Sequence, residues 1–386
     1  SFFLILTMRT LNSKLPTVGT TIFSVMSKMA AEHNAINLSQ GFPNFPVNTE
    51  LINAYHDIID ESFHQYMPMP GFGPLALEVA QKIKKHYGRE VNSEKEMLIT
   101  AGATQAIFTT IQALVHSGDE VIVLDPSYDC YAPAVELCSG VPVHVNLNAD
   151  FSVDWNKVND AISPKTRLLI VNNPHNPGGV VFSLADIEAL EIILGNHPHV
   201  LLLSDEVYEY IHFDAPHISA NSREQLIDKT IVVSSFGKTF HVTGWKIGYL
   251  VAPGYIMDEI KKVHQFNVFS VNSTAQATLA RYLPQTDLGE LSSFYKQKRD
   301  LFRNLISESK FELLDCKGSY FQVARYSEIS DLNDVDFSIE MTKKYGVAVI
   351  PLSVFNKDKH DDKLIRFCFA KDNDTLIKAA ERLCKI

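Results

Sequence analysis

From residue 97 onward, short β-rich apolar runs recur at 97–100, 121–124, 142–146, 167–172, 200–203, 231–233 and 247–251. Stretches with apolar residues at helical spacing, such as 104–116 and 184–194, lie between most of them. Strands alternating with helices predict an α/β fold whose large domain has a mainly parallel, seven-stranded sheet. Upstream, Ile22-Phe23-x-x-Met26-x-x-Met29-Ala30 has the spacing of a helix and leads into an extended segment broken by Gly41 and Pro43. A Pro/Gly loop from Tyr66 to Gly73 feeds a predicted helix over 74–87, and 255–280 also reads as helical. After about Leu288, helices are predicted near 289–309, 336–345 and 373–384, with strands near 320–324, 347–350 and 364–369. The expected organisation is a large domain over 46–288 and a smaller α/β domain made from 9–45 and 289–386.

Composition narrows the function classes. The 386 residues are 46% hydrophobic and 21% charged, as in a soluble globular protein with a sizeable core. A net charge of −10 disfavours a nucleic-acid or anionic-membrane partner. Five cysteines, an odd count without a CxxC, point to a reducing compartment with no disulfide framework and no zinc site. There is no run of about 18 apolar residues to span a membrane. Phe2 to Leu6 is too short for a signal segment, so Met8 reads as a natural start and 1–7 as an upstream remnant.

In parallel sheets, ligands sit beyond the carboxyl ends of the strands, and the distinctive polar residues fall there. The run Ile231-Val232-Val233 ends in Ser234-Ser235-Phe236-Gly237-Lys238, with a second cation, Lys246, eight residues on. A partly desolvated lysine near another cation has a lowered pKa and is suited to forming a Schiff base, although a lysine after a strand is more often an ordinary surface residue. Thr100-Ala101-Gly102-Ala103-Thr104 lies where a strand becomes a helix; it reads as an anion site, and equally as a tight N-capped turn. Asn172-Asn173-Pro174-His175-Asn176-Pro177 fixes the backbone and aims an amide, or is a turn alone. Asp205 follows the apolar run 200–203 and is costly to bury without a partner such as a cationic ring nitrogen, though a helix N-cap aspartate fits as well. Tyr208 can offer a phenol to the same ligand. Arg366 sits inside the apolar strand 364–369; its fork suits a carboxylate, whether of a ligand or of a structural acid.

Taken in order, these motifs resemble the fold-type I aminotransferases that use pyridoxal 5′-phosphate. The resemblance runs from about residue 9 to the C-terminal region. It is nearest the bacterial methionine aminotransferases and then the kynurenine and glutamine transaminases, through LSQGFPNFP, TAGAT, DPSYD, SDEVYE, SSFGKT, TGWKIGY, IPLSVF and IRFCFAK. It implies that Lys238 is the Schiff-base lysine and proton shuttle, and that Asp205 holds the cofactor's ring nitrogen protonated. It implies further that Tyr208 and Asn176 bond the ring hydroxyl, that Tyr128 stacks on the ring, and that Ala103, Thr104, Ser235 and Lys246 cradle the phosphate. Arg366, helped by Asn176 and the Gly41 backbone, matches the clamp on the substrate carboxylate. Tyr66 matches a tyrosine that reaches the neighbouring subunit's cofactor, so a homodimer with shared sites is expected. Phe23 and Phe269-Ser270 stand where kynurenine-type relatives carry Trp and Phe-His. They imply an apolar, aromatic-lined pocket suited to methionine or phenylalanine. The expected activity is ping-pong transfer of an amino group from methionine, aromatic amino acids or glutamine to a 2-oxo acid. Two rivals are a C–S β-lyase on the same fold and a ligand-sensing regulator, the latter disfavoured by the acidic charge and the short segment before the fold.

Overall fold

The computed structural model describes residues 11–386. The expected start at Met8, and with it the first residues of the smaller domain, lie outside the described residues. Strand β1 (Ile36–Asn37) comes first in the chain, and the next seven strands build the main sheet. They are β2 (Met97–Thr100), β3 (Glu120–Asp125), β4 (Val141–Asn146), β5 (Thr166–Asn172), β6 (Leu201–Asp205), β7 (Thr230–Ser235) and β8 (Gly248–Val251), in the order β2-β8-β7-β6-β5-β3-β4. All are parallel except β8, which runs antiparallel between β2 and β7.

The central strands carry apolar residues on both faces through their middles, because helices cover both faces, and turn polar at their carboxyl ends. Val121, Val123, Leu168, Ile170, Leu203 and Val233 enter one core, and Ile122, Leu124, Leu169, Val171, Leu202 and Val232 enter the opposite one. Each fully buried aliphatic side chain contributes about 1.5–3 kcal/mol relative to exposure. The topology brings the carboxyl ends of β2, β3, β5, β6 and β7 to one edge. There the chain leaves at Thr100, Asp125, Asn172, Asp205 and Ser235.

The remaining strands are β9 (Glu312–Leu313), β10 (Phe321–Arg325), β11 (Val347–Ala348), β12 (Ile350–Pro351) and β13 (Leu364–Cys368). Four of them form an antiparallel sheet in the order β12-β13-β10-β9, while β11 pairs in parallel with β1. The Cys368 N–H also donates to the Leu38 carbonyl at 2.8 Å, so the N-terminal segment is laced to the C-terminal strands.

Two predicted elements divide. The helical stretch 255–280 is two helices, Gly254–Asn267 and Ser273–Tyr282. Phe269 takes a left-handed conformation (φ 65°) between them, and the Asn272 side chain caps the second by accepting from Ala275 N–H. The run 347–350 supplies β11 and β12 to different sheets. The helix Thr49–Ile59, absent from the sequence reading, is capped by Asn48 and packs on Ser273–Tyr282. Among the described residues no helix is long and apolar enough to cross a membrane, and no group of three or more His, Cys, Asp or Glu is placed to hold a metal.

Candidate active site

A cavity of about 280 Å³ opens at the carboxyl edge of the main sheet. Lys238 enters it from the one-turn helix Phe236–Thr239, which starts directly at the end of β7. The Ser235 hydroxyl caps that turn by accepting from Gly237 N–H at 3.2 Å. The Lys238 ammonium donates to the Gly41 carbonyl at 3.1 Å, and its Nζ lies 5.9 Å from the centre of the Tyr208 ring. Burial lowers the Lys238 pKa to about 8; Cys368 and Asp205 oppose the fall, while the positive charges of Arg366 and Lys246 add to it. At neutral pH a useful fraction of the amine is therefore unprotonated.

Asp205, at the end of β6, is 4% exposed and makes no ion pair among the described residues. Its carboxylate accepts from the Tyr131 hydroxyl at 2.6 Å and from Val207 N–H at 3.3 Å. Burial raises its pKa to about 6, against the lowering effect of those hydrogen bonds. A cation facing it inside the cavity would remove that penalty.

The helix Gly102–Leu114 begins where β2 ends and presents its free N–H groups to the cavity beside Ala103 and Thr104. Gly102 has φ +77°, and a Cβ there would lie 3.3 Å from the Lys246 ammonium. At Gly248, where β8 starts beneath this turn, a Cβ would come within 2.7 Å of the Ser234 carbonyl and 3.1 Å of Ala103 N. Both positions require glycine to bring the backbone, the hydroxyls and Lys246 around one small space. Lys246 has no ion-pair partner among the described residues, so this cradle is positive and suits a phosphate. The Tyr128 hydroxyl lies 3.4 Å from Thr104 Oγ1, which puts the tyrosine beside the cradle.

Arg366, on β13, is 1% exposed, and burial lowers its pKa to about 10, which leaves it charged at neutral pH. It donates to the Asn176 amide oxygen at 2.6 Å and more weakly to the Ser39 carbonyl at 3.5 Å; its Nε is buried without a partner. The guanidinium lies 3.8 Å from the centre of the Phe321 ring and 5.5 Å from those of Phe23 and Phe355. No carboxylate of the described residues pairs with it, so a structural ion pair does not account for its burial.

All the residues expected at the site therefore meet in one cavity, except two. Tyr66 is 82% exposed and packs edge-on against Phe269 at 5.4 Å, away from the cavity. Their loops are tied together by the bonds from Met67 N–H to Ser270 Oγ and from Ser273 Oγ to the Gln65 carbonyl. The sequence reading missed Tyr131, Phe321 and Phe355. Tyr131 stands only three residues after Tyr128, and its ring packs edge-on against that of Tyr128 at 5.8 Å.

A buried lysine amine, an anion cradle, a buried acid and a buried arginine around one cavity on this sheet define a pyridoxal-phosphate-dependent transaminase. The family model for aminotransferases of class I and II matches residues 33–383, and the chain belongs to that family. It is 47% identical to the methionine aminotransferase of Escherichia coli, over 96% of this chain and 97% of that one. It is 32% identical to a kynurenine–oxoglutarate transaminase of Dictyostelium discoideum, over 95% and 94%. Among solved structures it resembles YbdL of Escherichia coli, identified there as a methionine aminotransferase, with a TM-score of 0.95, 46% identity and 98% and 100% coverage. N-succinyldiaminopimelate aminotransferase of Mycobacterium tuberculosis superposes with a TM-score of 0.93 at 33% identity, covering 97% and 100%. The enzyme is an aminotransferase and its cofactor is pyridoxal 5′-phosphate.

Proposed function

We propose that this aminotransferase takes methionine as its principal amino donor, accepts aromatic amino acids and glutamine, and passes the amino group to a 2-oxo acid in a ping-pong cycle. The observation that carries the reading is a pair of buried, uncompensated charges, Asp205 and Arg366, with the Lys238 amine in the same cavity. The ring of aromatic side chains around Arg366 favours a weakly polar or aromatic substrate side chain over an acidic one. The likeness to methionine aminotransferases supports the same choice.

The roles are those the resemblance implies, and the geometry supports them. The N–H groups at Gly102–Thr104, the hydroxyls of Thr104 and Ser235, and Lys246 would hold the cofactor's phosphate. Asp205, positioned by the Tyr131 hydroxyl, keeps a proton on the ring nitrogen. Tyr128 would pack on the ring, and Tyr208 and the Asn176 amide would hold its hydroxyl. When bound, pyridoxal phosphate supplies an aldehyde that condenses with amines and a protonated ring that withdraws electron density from the substrate's Cα. Arg366, with Asn176 and the Gly41 backbone, orients the amino acid by its carboxylate, and Phe23 and Phe321 line the space for its side chain. Lys238 removes the α-proton and holds it as an ammonium, which the Gly41 carbonyl accepts as a hydrogen-bond donor. Its pKa of about 8 lets one group take and return that proton near neutrality.

We further read the enzyme as a cytoplasmic homodimer in which Tyr66 and Phe269 serve the site of the second copy. Their outward aromatic pair and the five free thiols support this reading. The division into a domain of 46–288 and one of 9–45 with 289–386 belongs to the same proposal, supported by the pairing of β1 with β11.

A donor panel tests the substrate assignment. Single-turnover release of 2-oxo acid should be fastest from methionine, then from phenylalanine and glutamine, and slowest from aspartate. Faster release from aspartate would overturn it, and pyruvate and thiol formed faster from a cysteine conjugate would favour the C–S lyase. Arg366→Ala should raise half-saturation for methionine far more than for the cofactor. Loss of a desolvated charge-assisted pair costs on the order of 2–5 kcal/mol. An unchanged half-saturation for methionine removes Arg366 from the substrate site. Asp205→Ala should still bind the cofactor yet lose most turnover. Exchange of the methionine α-hydrogen with deuterated water reads this directly, and a wild-type exchange rate contradicts the role given to Asp205.

A further inference from the structure

The segment Ser39–Phe42 crosses the cavity without helix or strand, yet its backbone is held at three successive carbonyls. Lys371 Nζ donates to the Gln40 carbonyl at 3.3 Å and to the Phe42 carbonyl at 2.7 Å. The Tyr320 hydroxyl donates to the Gly41 carbonyl at 2.5 Å, and that oxygen also accepts from Lys238. Lys371 is 3% exposed and Tyr320 is 0% exposed. Among the described residues Lys371 has no ion pair, so a buried ammonium is committed to holding backbone. The Tyr320 ring is itself fixed, edge-on to Tyr208 at 5.2 Å and against Tyr295 at 5.5 Å and Phe321 at 4.9 Å.

An irregular loop left to itself would move its carbonyls freely. A carbonyl held in place before a proton arrives stabilises the resulting ammonium without a cost of reorientation. We infer that Tyr320, backed by Lys371, is a positioning residue that holds the Gly41 carbonyl as a fixed acceptor for the Lys238 ammonium. The inference rests on the reading of Lys238 as the group that moves the α-proton. The other charged or titratable groups facing Lys238 are Cys368, Arg366, Lys246, Asp205 and Tyr208, and the variants below leave all of them in place.

The test measures the amine itself rather than turnover. Full-length protein stripped of cofactor is acylated with isotope-coded acetic anhydride across a range of pH, and the Lys238 and Lys246 peptides are quantified by mass spectrometry. Without its fixed acceptor the Lys238 ammonium is less stable. Tyr320→Phe should therefore increase Lys238 acylation below the wild-type midpoint by about three- to tenfold, with Lys246 unchanged. Lys371→Met, which frees the carbonyls on either side, should move Lys238 in the same direction, and it carries the test alone if Tyr320→Phe does not fold. An unmoved Lys238 midpoint, or equal gains at Lys238 and Lys246, overturns the inference. The reading beneath it fails by a different result, namely turnover retained by Lys238→Ala.

Discussion

Lys238→Ala is expected to fold, to bind pyridoxal phosphate without a covalent link, and to lose transamination by about 10⁴-fold or more, the upper range for losing a positioned general base. The expectation follows from its place: Lys238 is the cavity lysine whose amine burial holds near neutrality, at a pKa of about 8. Lys246, the other lysine of the cavity, stands at the phosphate cradle next to Gly102, where a cation serves an anion and cannot replace a base. Borohydride reduction of the wild-type protein followed by peptide mapping should find the cofactor on Lys238. Label on Lys246, or substantial turnover by Lys238→Ala, would refute the assignment.

The second large effect is complementation between two nearly inactive chains. Tyr66 is far from the cavity of its own chain and exposed beside Phe269, so its contribution to a site requires a second copy. In the proposed dimer, Tyr66→Asp would set a carboxylate near the second copy's phosphate and repel it, and Lys238→Ala removes the base. In a mixed dimer one site takes Lys238 from one chain and Tyr66 from the other and is intact, while the other site carries both defects. Random pairing makes half the dimers mixed, each with one good site of two. Refolding the variants together should therefore recover roughly a quarter of wild-type activity. Recovery no greater than the sum of the separate variants, with mixed dimers demonstrated by mass, would mean that each chain completes its own site.

Much of the site was legible because it is built at strand ends. Lys238, Asp205, Asn176 and the Gly102 turn each stand within a few residues of an apolar run, and the chemistry of each is written in that short stretch. What was not legible depends on partners remote in sequence. Tyr131 bonds Asp205 across 74 residues, and Phe321 stacks on Arg366 from the neighbouring strand. Tyr320 and Lys371 act on a loop about 280 and 330 residues away, and neither has a local pattern that distinguishes it from an ordinary core tyrosine or surface lysine.

The sequence by itself determined that strands and helices alternate, that the sheet is mainly parallel, and that a small-residue turn, an acid and a lysine stand at strand ends. These are properties of short windows: periodic burial, turn residues, and the cost of placing a charge after an apolar run. Only the tertiary structure decided which strands are neighbours, and with it which side chains share the cavity. The register of β13, with Arg366 opposite Val323 on one side and Ile350 on the other, fixes the face on which the guanidinium emerges. A slip of one residue would turn it to the opposite face of the sheet, because side chains alternate along a strand. Likewise, β1 must pair with β11 before Gly41 can meet an amine 197 residues away. Local preferences carry no information about such a meeting; it is set by packing across the whole chain.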